Sequence, residues 1–199
     1  MWMDLKREAR DEKQETSNVN MNVSQIVAHL IQTPAARQEI WAYAVNRGLG
    51  EGMQVERWLL IEMAARLMEL KSKGVLESAE GEHKFPIAQV RIFEHCDLWW
   101  KQNEIENWLE VKTIVVGVKK SLGKIEDIVA DVGKRERLRA TDVFHHLAVI
   151  FPLAENRVKE WRNALEPIYQ NANMNFNAQW TFPLWDEKQL AMFLYSAQM

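Results

Sequence analysis

The chain has 199 residues, 47% of them apolar and 27% charged, with eight glycines and five prolines. That length allows one domain with a sizeable core, and the composition excludes a disordered, collagenous or disulfide-stapled chain. A formal net charge of −3 excludes a polycation of the histone type, though not an enzyme that grips a phosphate backbone with one local patch. The single cysteine, Cys96, allows no internal disulfide and points to a reducing, cytoplasmic setting. No apolar run approaches the ~20 residues that span a bilayer. The charged start Met1-Trp2-Met3-Asp4-Leu5-Lys6 lacks the apolar stretch of a signal peptide, so no membrane partner is expected.

In chain order, residues 1–22 read as a polar, solvated arm. Helical spacing follows in two pieces, Val23 to Ile31 and Ala35 to Val45, with Thr33 as N-cap and Pro34 as first residue of the second. From Val55 to Leu70 the helical pattern is strong, and Gly74 is placed to end it. The pattern then changes. Phe85 to Trp100 and Trp108 to Val116 are rich in β-branched and aromatic residues, and the polar stretch 101–107 between them predicts a hairpin. Helical spacing returns over 122–139 through Leu122, Ile125, Ile128, Val129 and Val132. Phe144 to Leu153 reads as a strand, 156–170 as an amphipathic helix and 176–197 as two terminal strands. This order predicts an α/β or α+β domain over residues 23–199.

The two central strands carry Asp97 and the triplet Glu110-Val111-Lys112. An acid-x-Lys triplet alone means little, because the chain holds six, the others starting at Asp4, Asp11, Glu69, Glu82 and Asp186. Only the one at Glu110 lies inside an apolar, β-branched run, where two charges are costly without a partner, a metal or a substrate. Residues two apart on a strand share a face, so Glu110 and Lys112 point together. A hairpin turn centred between Asn103 and Glu104 sets Asp97 directly opposite Glu110. Two carboxylates at cross-strand distance repel, and a divalent cation between them turns the repulsion into a site. Oxygen donors of this kind suit Mg²⁺, with Mn²⁺ as a substitute. The competing reading is a longer, asymmetric loop that leaves Glu110 and Lys112 on a solvated face.

Asp97, twelve intervening residues and Glu110-Val111-Lys112 resemble the motif of the PD-(D/E)XK nuclease superfamily. Residues 52–153, about half the chain, match its core order of a helix, three antiparallel strands, a helix and a fourth strand. Cys96 stands where the motif name has Pro. The resemblance implies a restriction-endonuclease-like core with a central mixed sheet flanked by helices, the stretches 23–50 and 156–197 being additions. It also implies Mg²⁺-dependent hydrolysis of DNA phosphodiester bonds by an endonuclease. Asp97, Glu110 and the backbone carbonyl of Val111 would be metal ligands, and Lys112 would orient or polarise the attacking water. Such cores often add a Glu from the first helix. At 100° per residue Glu56 falls at the centre of the face made by Leu59, Leu60, Met63, Leu67 and Leu70, whereas Glu62 falls on the opposite face with Arg66 and Glu69. Glu56 is therefore the candidate, against the alternative of a solvated first-turn glutamate.

Lys119, Lys120, Lys124, Lys134 and Arg135, followed by Arg137 and Arg139, outnumber the acids Glu126, Asp127, Asp131 and Glu136 of the same stretch and are candidates for phosphate contacts. His95 shares the face of Asp97 on a regular strand, and His145-His146 has no ligand spacing to another His or Cys. Nine tryptophans are an excess best assigned to the core, Trp58, Trp108 and Trp161 above all; only one of Trp99 and Trp100 could face a base. DNA is the expected partner, with a second copy of the chain as a further candidate. Two non-catalytic readings compete: a winged-helix-like DNA-binding regulator, with helix 55–70 leading into Lys71-Ser72-Lys73-Gly74, and a nuclease-like structural protein without catalysis.

Overall fold

The computed structural model describes residues 20–46, 52–84, 95–117 and 123–198. Five helices and six strands run α1 (Val23–Ala35), α2 (Gln38–Asn46), α3 (Gly52–Ser72), β1 (Ser78–Lys84), β2 (His95–Gln102), β3 (Ile105–Val115), α4 (Gly123–Gly133), β4 (Val143–Ala154), α5 (Val158–Asn171), β5 (Asn175–Pro183) and β6 (Lys188–Gln198). The strands form one sheet in the order β1-β2-β3-β4-β6-β5. β1, β2 and β3 are antiparallel neighbours, β3 and β4 are parallel, and β4, β6 and β5 are antiparallel again. The parallel β3–β4 pair requires a crossover, which α4 supplies.

Each face of the sheet is buried under helices, and this explains why β4 reads as an almost continuous apolar run. On one face Leu98, Trp100, Leu109, Val111, Leu147, Val149 and Phe151 pack against Ile26, Leu30 and Ile31 of α1, Trp41 of α2, and Leu59, Met63 and Leu67 of α3. On the other, Trp108, Ile114, Ala148 and Ile150 meet Ile128 and Val132 of α4 and Leu165 and Tyr169 of α5. Among the described residues no helix is long and apolar enough to cross a membrane.

The hairpin forms as its composition predicts. Asn103 and Glu104 both take positive φ, 51° and 63°, the signature of a two-residue turn whose twist suits antiparallel strands. The pairing runs from Gln102↔Ile105 up to Leu98↔Leu109, the register that a turn centred on these residues dictates. α3 ends as expected at Gly74, with φ of 73°: its N–H donates to the Lys71 carbonyl and that of Val75 to the Leu70 carbonyl, both at 3.0 Å. That paired arrangement satisfies carbonyls the helix itself leaves open.

Four expectations need correction. Pro34 does not start the second helix; it lies in the last turn of α1, and α2 begins at Gln38. The Trp41 indole N–H donates to the Pro34 carbonyl at 3.0 Å and joins the end of one helix to the next. Ser78–Lys84, a polar stretch not read as a strand, is the edge strand β1, whose outward side needs no apolar residues. Of the strand expected from Phe85, residues 85–94 lie outside the described residues. The tryptophans are largely structural, with Trp41, Trp100 and Trp108 fully buried and Trp99 nearly so, whereas Trp58 and Trp161 are only half-buried against the core. Asn22, placed in the polar arm, is the N-cap of α1; its side chain accepts from the Gln25 N–H and Gln25 returns the bond, while residues 1–19 lie outside the described residues.

Candidate active site

The site forms where β3 outruns its partner. The β2–β3 pairing reaches Leu98↔Leu109, while β3 continues against β4 to Val115↔Phe151. Beyond Leu109, the edge of β3 that faced β2 carries backbone groups without strand partners among the described residues, and burying such groups unpaired is costly. Among the described residues, two carboxylates stand at that edge where a strand would continue. Asp97 Oδ2 accepts the Val111 N–H at 2.8 Å, and Glu56 Oε2 accepts the Thr113 N–H at 2.7 Å. Val111 and Thr113 are two apart, so their N–H groups leave β3 on the same edge. The Val111 carbonyl points to that edge too.

Local backbone irregularity aims Asp97. Leu98 and Trp100 point to the face under α1–α3, while Trp99 and also Cys96 belong to the opposite face, so side-chain alternation breaks at Asp97. On β1 the matching irregularity is Glu82, at φ 52°, between the pairs Gly81↔Leu98 and His83↔Cys96. The break turns the Asp97 carboxylate along the sheet toward β3. Glu56 reaches the same edge because Val55, Leu59, Met63 and Leu67 of α3 are buried against the sheet, which leaves the early turns of the helix beside β3.

Around these carboxylates runs a chain of alternating charge. Lys112 Nζ stands 3.4 Å from both Glu56 Oε1 and Asp131 Oδ2. Asp131 Oδ1 is 2.8 Å from Lys134 Nζ, which in turn lies 3.1 Å from Glu110 Oε2. Glu110 is 2% exposed, and its Oε1 is buried with no hydrogen-bond partner among the described residues. The four carboxylates Glu56, Asp97, Glu110 and Asp131 thus face two ammonium groups.

The electrostatics follow from that imbalance. Burial pushes Asp97 up to about 6; the Val111 N–H opposes this and the nearby Glu56 carboxylate adds to it. Burial, then the charge of Asp97, pushes Glu110 well above the usual carboxylate range, with Lys134 opposing. Burial would lower Lys112, but Glu56 and Asp131 outweigh it and hold the ammonium protonated. For Asp131 burial works upward and is outweighed by Lys134 and Lys112, which keep it ionised.

Of the residues expected from the sequence, Asp97, Glu110, Val111, Lys112 and Glu56 come together at this edge. Lys134, read as a phosphate contact, lies inside the ion-pair chain with its side chain 22% exposed. Arg135 is half-buried in the short 3₁₀ turn Lys134–Arg137. Lys119, Lys120 and the side chain of Lys124 lie outside the described residues. His95 is exposed. His145 and His146 are structural: His145 bonds Ser196 Oγ at 2.6 Å and Asn107 Oδ1 at 3.0 Å, and His146 bonds the Tyr169 hydroxyl at 2.8 Å. Burial drives His145 down to about 3 and His146 to about 4, so both rings are neutral.

Sequence reasoning passed over Asp131. It counted as one acid in a solvated charge mixture, although it adjoins the apolar positions Ile128 and Val132 of α4, both of which are buried. The i, i+3 spacing of Asp131 and Lys134 beside that stripe was the available signal.

The donor set suits a hard divalent cation. All candidate ligands are oxygens, Glu110 Oε1 is unsatisfied among the described residues, and Asp97 and Glu110 are held at raised pKa by burial and by neighbouring carboxylates, a load that a dication would relieve. Among the described residues no three His, Cys, Asp or Glu side chains are grouped closely enough to hold an ion as they stand. In comparisons with known proteins no family model matches the chain, and no curated protein or solved structure matches it.

Proposed function

We propose that the chain is a Mg²⁺-dependent endonuclease of PD-(D/E)XK type that hydrolyses phosphodiester bonds in DNA. One observation carries the reading. Asp97 of β2, Glu110 and Lys112 of β3 and Glu56 of α3 gather at the edge where β2 and β3 part, Glu110 joined to Lys112 through Lys134 and Asp131, in the element order α3-β1-β2-β3-α4-β4.

In this reading Asp97, Glu110 and the Val111 carbonyl would hold the metal. When bound, Mg²⁺ supplies a water of lowered pKa and neutralises charge on the phosphoryl oxygens. Lys112, kept protonated between Glu56 and Asp131, places a fixed positive charge beside the attacked phosphate and does not act as a base. Glu56 fixes the strand edge through Thr113 and the direction of the Lys112 side chain at once. Arg135 and the lysines of the 119–124 stretch contribute contacts to the phosphate backbone.

Plasmid and linear duplex DNA incubated with Mg²⁺ or Mn²⁺ should be cut by the protein. Lys112→Ala should reduce cleavage by ~100-fold or more, the usual scale for losing one fixed stabilising charge. Full activity of Lys112→Ala and Asp97→Ala, or DNA binding without cleavage, would overturn the enzyme reading. The winged-helix alternative finds little support, since the apolar stripe of α3 is buried and β1 pairs along β2 instead of standing out as a wing. The non-catalytic reading rests on a specific feature, the Lys134 ammonium lodged against Glu110.

A further inference from the structure

Lys134 Nζ touches Glu110 Oε2 at 3.1 Å and Asp131 Oδ1 at 2.8 Å. It therefore occupies space beside a carboxylate on which the proposed metal site depends. The side chain comes from the 3₁₀ turn Lys134–Arg137 that follows α4, not from the sheet, and it remains partly open to solvent. Glu110 by contrast is fixed in the middle of β3, buried, with Oε1 lacking a partner among the described residues. A cation on a partly exposed, flexible stem thus sits against a buried carboxylate on a central strand. Without it Glu110 would be a buried carboxylate with no countercharge, ionised only at a cost.

We propose that Lys134 is a displaceable resident cation, which balances Glu110 in the metal-free protein and must withdraw before a divalent ion can bind there. The inference rests on the metal site proposed above and extends it to a control device. In the metal-free state the Lys134 ammonium joins Glu110 to Asp131, and Asp131 joins Lys112, so the carboxylates are balanced without a metal. When a dication arrives, Glu110 exchanges one cation for another and Lys134 is released toward solvent. There it becomes free to meet an anionic oxygen of a bound phosphate backbone. Metal binding and the availability of a basic side chain for DNA are in this way coupled through one residue. The same ammonium competes with the metal, so occupancy is weaker in the absence of DNA than the buried oxygen donors alone would give.

Isothermal titration with Mn²⁺ alone, without DNA, tests this on the full chain, comparing wild type with Lys134→Met. Methionine keeps most of the stem's bulk and removes the charge. The expected result is Mn²⁺ affinity tighter by about tenfold or more in the variant, a modest share of a unit charge acting at contact distance. A second expectation is a larger rise in thermal midpoint on adding Mn²⁺, because the metal then replaces a missing countercharge. Lys134→Arg, which keeps the charge, should bind Mn²⁺ about as weakly as wild type. Should Lys134→Met prove too unstable to titrate, Lys134→Gln serves in its place. Equal or weaker affinity in the neutral variants, with binding by wild type, overturns the displacement idea and leaves the metal site standing. Absence of Mn²⁺ binding in every variant overturns the metal site and this inference with it.

Discussion

Replacing Asp97 by Asn should make the metal-free protein more stable at pH 8. Asp97 is held near 6 in the fold, above its ordinary value of 3.8, mainly by burial. A shift of about two units corresponds to about 3 kcal/mol, at about 1.4 kcal/mol per unit, by which folding disfavours the ionised carboxylate. Partial exposure of the side chain screens this to about 2 kcal/mol. Asn keeps an oxygen that accepts the Val111 N–H, at a loss of about 0.5–1 kcal/mol for a neutral in place of a charged acceptor. The net expectation is a gain of about 1–2 kcal/mol at pH 8. The sign follows from the direction of the shift. With the folded pKa raised, the penalty is fully present above about 6 and is relieved as pH falls toward 3.8. The advantage of Asn should therefore vanish by about pH 4. Urea unfolding of Asp97→Asn and wild type in chelator at both pH values measures it. Adding Mn²⁺ should then stabilise wild type alone. If the Asn variant is no more stable than wild type at pH 8 in chelator, the carboxylate is not under the electrostatic load assigned to it.

Glu56→Ala should cost about 2–3 kcal/mol in urea unfolding, because the Thr113 N–H loses a charged acceptor at 2.7 Å on a buried strand edge, and Glu56→Gln should cost less than half of that; a loss under about 0.5 kcal/mol for Ala would show the cap to be unimportant. His145 should give a flat NMR titration between pH 8 and pH 5, because burial holds its folded pKa near 3. Its stabilising contribution is then complete above 6.5 and falls by about 2 kcal/mol at pH 5, and a titration midpoint near 6.5 would contradict the burial argument. Gly74→Ala should lower stability by about 1 kcal/mol through backbone strain at φ 73° alone, since nothing lies within 4 Å of the added methyl group. Calorimetry or thermal unfolding giving no loss would contradict that account of how α3 ends.

What could be read in the sequence was local. The hairpin register followed from the polar break at Asn103-Glu104 between two apolar runs, and it holds from Gln102↔Ile105 to Leu98↔Leu109, one step short of the expected Asp97–Glu110 pair, Asp97 accepting the Val111 N–H instead. Glu56 emerged because a carboxylate at the centre of an apolar helical face must meet a partner. What could not be read was set by tertiary packing. β1 is polar because it is an edge, so its composition carries no strand signal. Asp131 and Lys134 sit among mixed charges in sequence, and only the docking of α4 beside β3 turns them into partners of Lys112 and Glu110. Nor does the motif show that Asp97 leaves the regular alternation of β2, since that depends on the irregularity at Glu82 across the sheet. The net charge of −3 is also a coarse guide to partners. Four of the acids behind that number cluster at one edge, where the proposed function calls for a cation.

The central claim is tested most directly by soaking crystals of the protein in Mn²⁺ and measuring anomalous scattering. The account predicts a peak between the Asp97 and Glu110 carboxylates, beside the Val111 carbonyl, with Lys134 moved away from Glu110. Crystals without a peak at that position, in which Lys134 still bridges Glu110 and Asp131, would contradict it.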